Sequence, residues 1–116
     1  MLFRDMKIQR LLNTKNKGTI EVLVYKEGKT FVGVCLTFDI GEESDNPKKL
    51  MESIQEADRG HLEVVREKNM PDDLLNRYAP KKYWDIYYKA IEDIKSKKLI
   101  KSPYSFLIFP YATRTI

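Results

Sequence analysis

The chain has little of what covalent or metal chemistry requires. One cysteine and one histidine occur in 116 residues, so no internal disulfide can form and no zinc-type ligand set can be assembled from spacing. A lone cysteine inside a strand-like run fits a reducing compartment, and a cytoplasmic location is the expectation. The five glycines are scattered, and none stands in a phosphate-cradling pattern. No Ser/His/Asp arrangement is present either. Arg4, Asp5, Lys7 and Arg10 interrupt the first ten residues, which argues against a secretory leader, and no apolar run approaches the length of a membrane span. Internal repeats, low-complexity tracts and glycine-serine linkers are absent, so the chain reads as one domain, long enough to bury a core without staples. Twenty-one basic against seventeen acidic side chains leave a net charge of only +4. An electrostatic footprint for nucleic acid needs clustering rather than a total, and a lysine-rich solvated surface accounts for the excess.

What is present centres on Ile20 to Val65. Ile20, Val22 and Val24 alternate along one run, and Val32, Val34, Leu36 and Phe38 along the next, which reads as a single strand from Thr30 to Ile40. Gly28 supplies a residue able to take positive φ between them, so the two runs are expected to form an antiparallel hairpin. Two strands alone are marginal in water, and their apolar face needs a cover. After an acidic loop from Gly41 to Asn46, Asn46 is a good N-cap and Pro47 a good first helical residue. Leu50, Ile54, Ala57, His61 and Val65 then recur at helical spacing, with Met51 and Leu62 widening the stripe. That helix is the expected cover for the Val32/Val34/Leu36 face, with Gly60 as the point of close approach.

Residues 1–18 read as a basic N-terminal arm or an extra element: a mobile arm, an additional strand, or a helix that orders on a partner. Residues 19–116 read as a single α+β domain. Beyond Pro71, Asp72 caps a short helix through Leu74 and Leu75. A second long helix begins at Lys81, with Trp84, Tyr87, Tyr88, Ile91 and Ile94 on one side and cations at its far end. Tyr104 to Phe109 forms a short apolar strand candidate that ends at Pro110 and completes the sheet or a dimer, with Tyr111 to Ile116 as a tail. The fold class is therefore α+β: a small antiparallel sheet, made of the hairpin plus a short third strand with a C-terminal strand as a further option, packed by a long helix, with a second helix after Pro80.

The run Phe31-Val32-Gly33-Val34-Cys35-Leu36-Thr37-Phe38-Asp39-Ile40, a polar loop with Ser44-Asp45-Asn46, a helix of this length and Met70-Pro71 at its end resemble the HicB-like antitoxin family. In that family an apolar strand ends in an aspartate, the loop carries a Gly-Asp-Thr type signature, and an Ala-containing helix leads to a proline. The match spans residues 19–71. Ser44 stands where the family usually has glycine, and Lys48-Lys49-Leu50 where Glu-Glu-Ala is common. The resemblance implies a partial RNase H-like fold and a protein that binds and occludes a small, basic, mRNA-cleaving toxin. Many members append a DNA-binding helix-turn-helix or ribbon-helix-helix, and neither pattern is clear after Pro71.

On this reading Asp39, Glu42, Glu43 and Asp45 form the acidic, partner-binding patch, supported by nearby apolar anchors. A nuclease would instead need carboxylates from separate elements converging on two divalent ions, whereas these four are local. No catalytic residue, metal or cofactor is expected. His61 reads as a core-edge histidine without a second group in reach, and Cys35 as a small core residue. The alternative function is a nucleic-acid-binding module using the basic arm and the helix that carries Lys81, Lys82, Trp84 and Lys89, whose aromatic stripe could stack on single strands. A small toxin is the expected partner and homo-oligomers are open. Nucleic acid is not the main partner, and no membrane is involved.

Overall fold

The computed structural model describes residues 12–95 and 104–112. β1 (Lys17–Glu27) and β2 (Thr30–Cys35) form the expected hairpin, with Glu27 opposite Thr30. Gly28 takes φ 66 in the two-residue turn, a conformation that disfavours any residue with a Cβ.

The second run does not continue to Ile40 as a single strand. Leu36 N–H still donates to the Glu21 carbonyl (2.8 Å), but the Leu36 carbonyl is turned away to accept from Ala79 N–H (2.9 Å). The Thr37 hydroxyl replaces it as acceptor for Glu21 N–H (3.0 Å). A long-range tie to the segment before the last helix thus ends the ladder. Asp39 then turns the chain at φ 58, a left-handed conformation that aspartate tolerates better than most residues. The expected short third strand is β3 (Ile40–Ser44), paired antiparallel to β2, and it takes up part of what read as the acidic loop.

α1 (Pro47–Glu67) starts where its capping chemistry predicts. The Asn46 side chain accepts from Lys49 N–H (3.0 Å), and the Ser44 hydroxyl accepts from Asn46 N–H (3.1 Å). It ends in a Schellman motif. Asn69 sits at φ 49, its N–H donates to the Arg66 carbonyl, and Met70 N–H donates to the Val65 carbonyl. A 3₁₀ turn (Asp72–Leu75) and α2 (Lys81–Lys95) follow; Pro71, not Asp72, holds the N-cap position of the turn and no side chain caps it, because Asp72 already lies inside. β4 (Tyr104–Ala112) pairs antiparallel to β1 from Lys17 through Tyr25, giving the sheet order β3-β2-β1-β4.

Both faces of the sheet are covered, and the helices divide them in a way the alternation did not predict. Ile20, Val22, Val24 and Cys35 pack with Leu50, Ile54, Leu62 and Val65 of α1. Val34 and Leu36, expected under that helix, pack instead with Leu23, Tyr25, Ala79 and Tyr87 on the α2 side. Phe38, past the break in the strand, returns to the α1 cluster. Gly33 explains the choice. A Cβ built there would lie 3.0 Å from Leu50 Cγ and 3.2 Å from Ile54 Cγ1, so α1 seats where the strand has no side chain. Gly60, the expected point of close approach, has nothing within 4 Å of such a Cβ.

The boundaries of the arm and of the last strand also move. Asn13 is buried, with its side-chain amide donating to the Thr19 and Leu75 carbonyls and accepting from Thr19 N–H. Asn13 and Asn76 bond each other through backbone and side chain at 2.8 and 2.9 Å. Residues 12–18 therefore belong to the body, and the remainder of the expected arm lies outside the described residues. β4 runs through Pro110 to Ala112, while the rest of the expected tail and the cations expected to end α2 after Lys95 lie outside the described residues.

Candidate functional site

Strand alternation divides the four carboxylates. In β3, Glu43 lies opposite Val32 and Gly41 opposite Val34, on the α2 side, whereas Glu42 lies opposite Gly33 on the α1 side. Glu42 is already bonded there, accepting from the Ser53 hydroxyl at 2.6 Å. Asp39, Glu42 and Glu43 still border one open cleft of about 220 Å³, with Val32, Val34, Gly41 and Tyr83 as its other walls. Asp45 is exposed just before α1 and does not border it. The cleft thus offers two exposed carboxylates, Asp39 and Glu43, over a floor of valines and against one aromatic ring.

The residues of the alternative site sit on α2. Lys81, Lys82 and Lys89 are exposed and Trp84 is half-buried. Lys81 pairs with Asp85 at 2.7 Å, and Lys82 Nζ lies 4.9 Å from the centre of the Tyr83 ring. Trp84 stacks on Tyr88 (5.7 Å between centroids) and meets Tyr78 and Tyr87 edge-on. The aromatic stripe packs largely on itself and on the sheet. Tyr83 brings this helix to the rim of the acidic cleft, so the two sets of residues read separately from sequence are neighbours.

His61 and Cys35 serve the core. His61 Nε2 lies 2.6 Å from the Leu74 carbonyl, which can only accept, so the ring donates there. Its face packs on Phe38 at 4.7 Å. Cys35 is fully buried, and burial above all, with Asp58 adding to it, pushes its thiol far above the usual range. Among the described residues no group of three or more His, Cys, Asp and Glu is placed to hold a metal ion.

One titratable residue escaped the sequence reading. Asp58 is 0 % exposed, and neither carboxylate oxygen has a hydrogen-bond partner among the described residues. Burial raises its pKa from 3.8 to about 6. The Cys35 thiol opposes that rise, Glu42 adds to it and Arg59 opposes it. The signal was in the spacing: Leu50, Ile54, Asp58 and Leu62 follow one another every fourth residue, which puts the aspartate in the centre of the apolar stripe.

No helix among the described residues is long and apolar enough to cross a membrane. Compared with protein-family models, curated proteins and solved structures, the chain matches none of them.

Proposed function

We propose that this chain is a binding protein of the HicB-like antitoxin type, which acts in the cytoplasm by covering the basic active surface of a small mRNA-cleaving toxin. The observation that carries this reading is the cleft beside β3. Two exposed carboxylates, Asp39 and Glu43, flank an apolar floor of Val32 and Val34 with Tyr83 as a wall. Such a surface suits a lysine or arginine whose aliphatic stem lies on the valines and whose charge meets the carboxylates. The groups best suited to chemistry are committed elsewhere: His61 to a backbone carbonyl, and Cys35 and Asp58 to the interior. Recognition by charge and burial needs no reacting group.

The test is co-expression with the product of a short basic reading frame neighbouring this one. A complex of fixed stoichiometry is expected, weakened at least about tenfold by Glu43→Lys and by Asp39→Lys, with Glu42→Lys milder because Glu42 faces Ser53. Trp84→Ala should leave the complex intact wherever the protein still folds. Single-stranded RNA binding that falls steeply with salt and is lost in Trp84→Ala, with no effect of the acidic reversals, would replace this reading with the nucleic-acid one.

A further inference from the structure

The sheet has two edges, and they differ in kind. β3 is five residues long and carries two adjacent glutamates, a short and charged edge of the sort that resists pairing. β4 is nine residues long, Tyr-Ser-Phe-Leu-Ile-Phe-Pro-Tyr-Ala, without one charged residue, and its outer side is unpaired among the described residues.

The hydrogen bonds of β1 identify which groups β4 presents outward. Glu21 spends its carbonyl on Leu36 and its N–H on Thr37, both on the β2 side. Backbone direction alternates along a strand, so Ile20, Val22 and Val24 address β4. Their register partners Phe109, Leu107 and Ser105 are therefore turned toward β1. The N–H and C=O groups of Tyr104, Phe106, Ile108 and Ala112 point away from the sheet. Pro110 belongs to this outward set, which is why the strand passes through a residue with no N–H without losing a bond to β1.

We propose that this edge is a self-pairing surface. Two copies of the chain join β4 to β4, antiparallel, about a twofold axis through Phe106, and the two four-stranded sheets become one of eight strands. In that register Phe106 faces Phe106 of the second copy and Tyr104 faces Ile108, so three outward residues per chain exchange both groups in about six hydrogen bonds. Pro110 stays outside those pairs. Moving the axis to Ile108 would set Pro110 opposite Phe106 and forfeit a bond in each copy. A second copy is the fitting occupant because antiparallel pairing of a segment with itself supplies matching donors and acceptors with no further sequence requirement.

The test uses the full chain. Its mass in solution at about 100 μM should be twice the 13.7 kDa of one chain. Ile108→Pro removes an outward N–H at a position equivalent to the one Pro110 already occupies, so it should convert the dimer to a monomer while circular dichroism shows the fold retained. Phe106→Cys places two thiols face to face at the axis, about 5.5 Å apart at Cα, and should cross-link on mild oxidation, since Cys35 is buried. Tyr104→Cys alone should not cross-link, whereas a mixture of Tyr104→Cys and Ile108→Cys should. A wild-type monomer at this concentration overturns the proposal, including one whose Phe106 and Ile108 amides exchange slowly because another part of the chain occupies the edge. A dimer that survives Ile108→Pro and fails to cross-link through Phe106→Cys overturns it equally.

Discussion

Replacing Asp58 with asparagine should stabilise the protein at neutral pH and flatten its dependence on pH. The carboxylate sits in the face of α1 that packs on the sheet, fully buried, with only the weakly donating Cys35 thiol beside it, so ionising it in the folded state costs free energy that the unfolded chain does not incur. Raising its pKa from 3.8 to about 6 corresponds to at most about 3 kcal/mol. The sign follows from proton linkage. The folded state holds the proton more tightly, so the stability linked to it is fully present below pH 3.8 and is lost as the pH rises through about 6. Urea denaturation followed by the fluorescence of the single tryptophan, Trp84, gives the comparison directly. The stability of Asp58→Asn minus that of the wild type should grow as the pH rises from about 4 to about 7.5, approaching 3 kcal/mol at the upper end. Taking the difference cancels the other carboxylates. A difference that stays constant across this range would refute the placement of Asp58 in the core.

Two glycines should respond in opposite directions. Gly33→Ala forces a methyl group against Leu50 and Ile54 and should destabilise by about 1–3 kcal/mol, whereas Gly60→Ala meets open space inside a helix and should stabilise by up to about 1 kcal/mol. Thermal melts of the two variants provide the check. Asn69→Gly relieves a left-handed residue at the C-terminus of α1 and should raise stability by about 0.5–1 kcal/mol, read from the midpoint of a urea titration. Asn13→Ala removes three side-chain hydrogen bonds that join the start of β1 to Leu75, and a loss of about 2–4 kcal/mol is expected in the same assay. Cys35, buried and held as the neutral thiol, should resist alkylation in the native protein and react only as denaturant unfolds it, as mass spectrometry would show.

The sequence by itself determined the elements whose signals are local. Gly28 marked the hairpin turn, Asn46-Pro47 the start of α1, Pro71 the break before the 3₁₀ turn, though not the cap expected of Asp72, and Lys81 the start of α2. Each of these depends on the φ preferences and hydrogen-bonding groups of a few neighbouring residues. Tertiary structure decided everything that depended on which partner arrived from far along the chain. The hydrogen bond from Ala79 to Leu36 ended β2 early and placed the third strand within the acidic loop, and alternation along that strand then separated Glu42 from Glu43. Gly33, not the more apolar face, chose where α1 sits, because close approach of a helix is governed by the space a missing side chain leaves. Pro110 looked like a stop and is not one, since its lack of an N–H matters only on the side of the strand that pairs. A local sequence carries its periodicity, but not the direction in which its backbone groups will find partners.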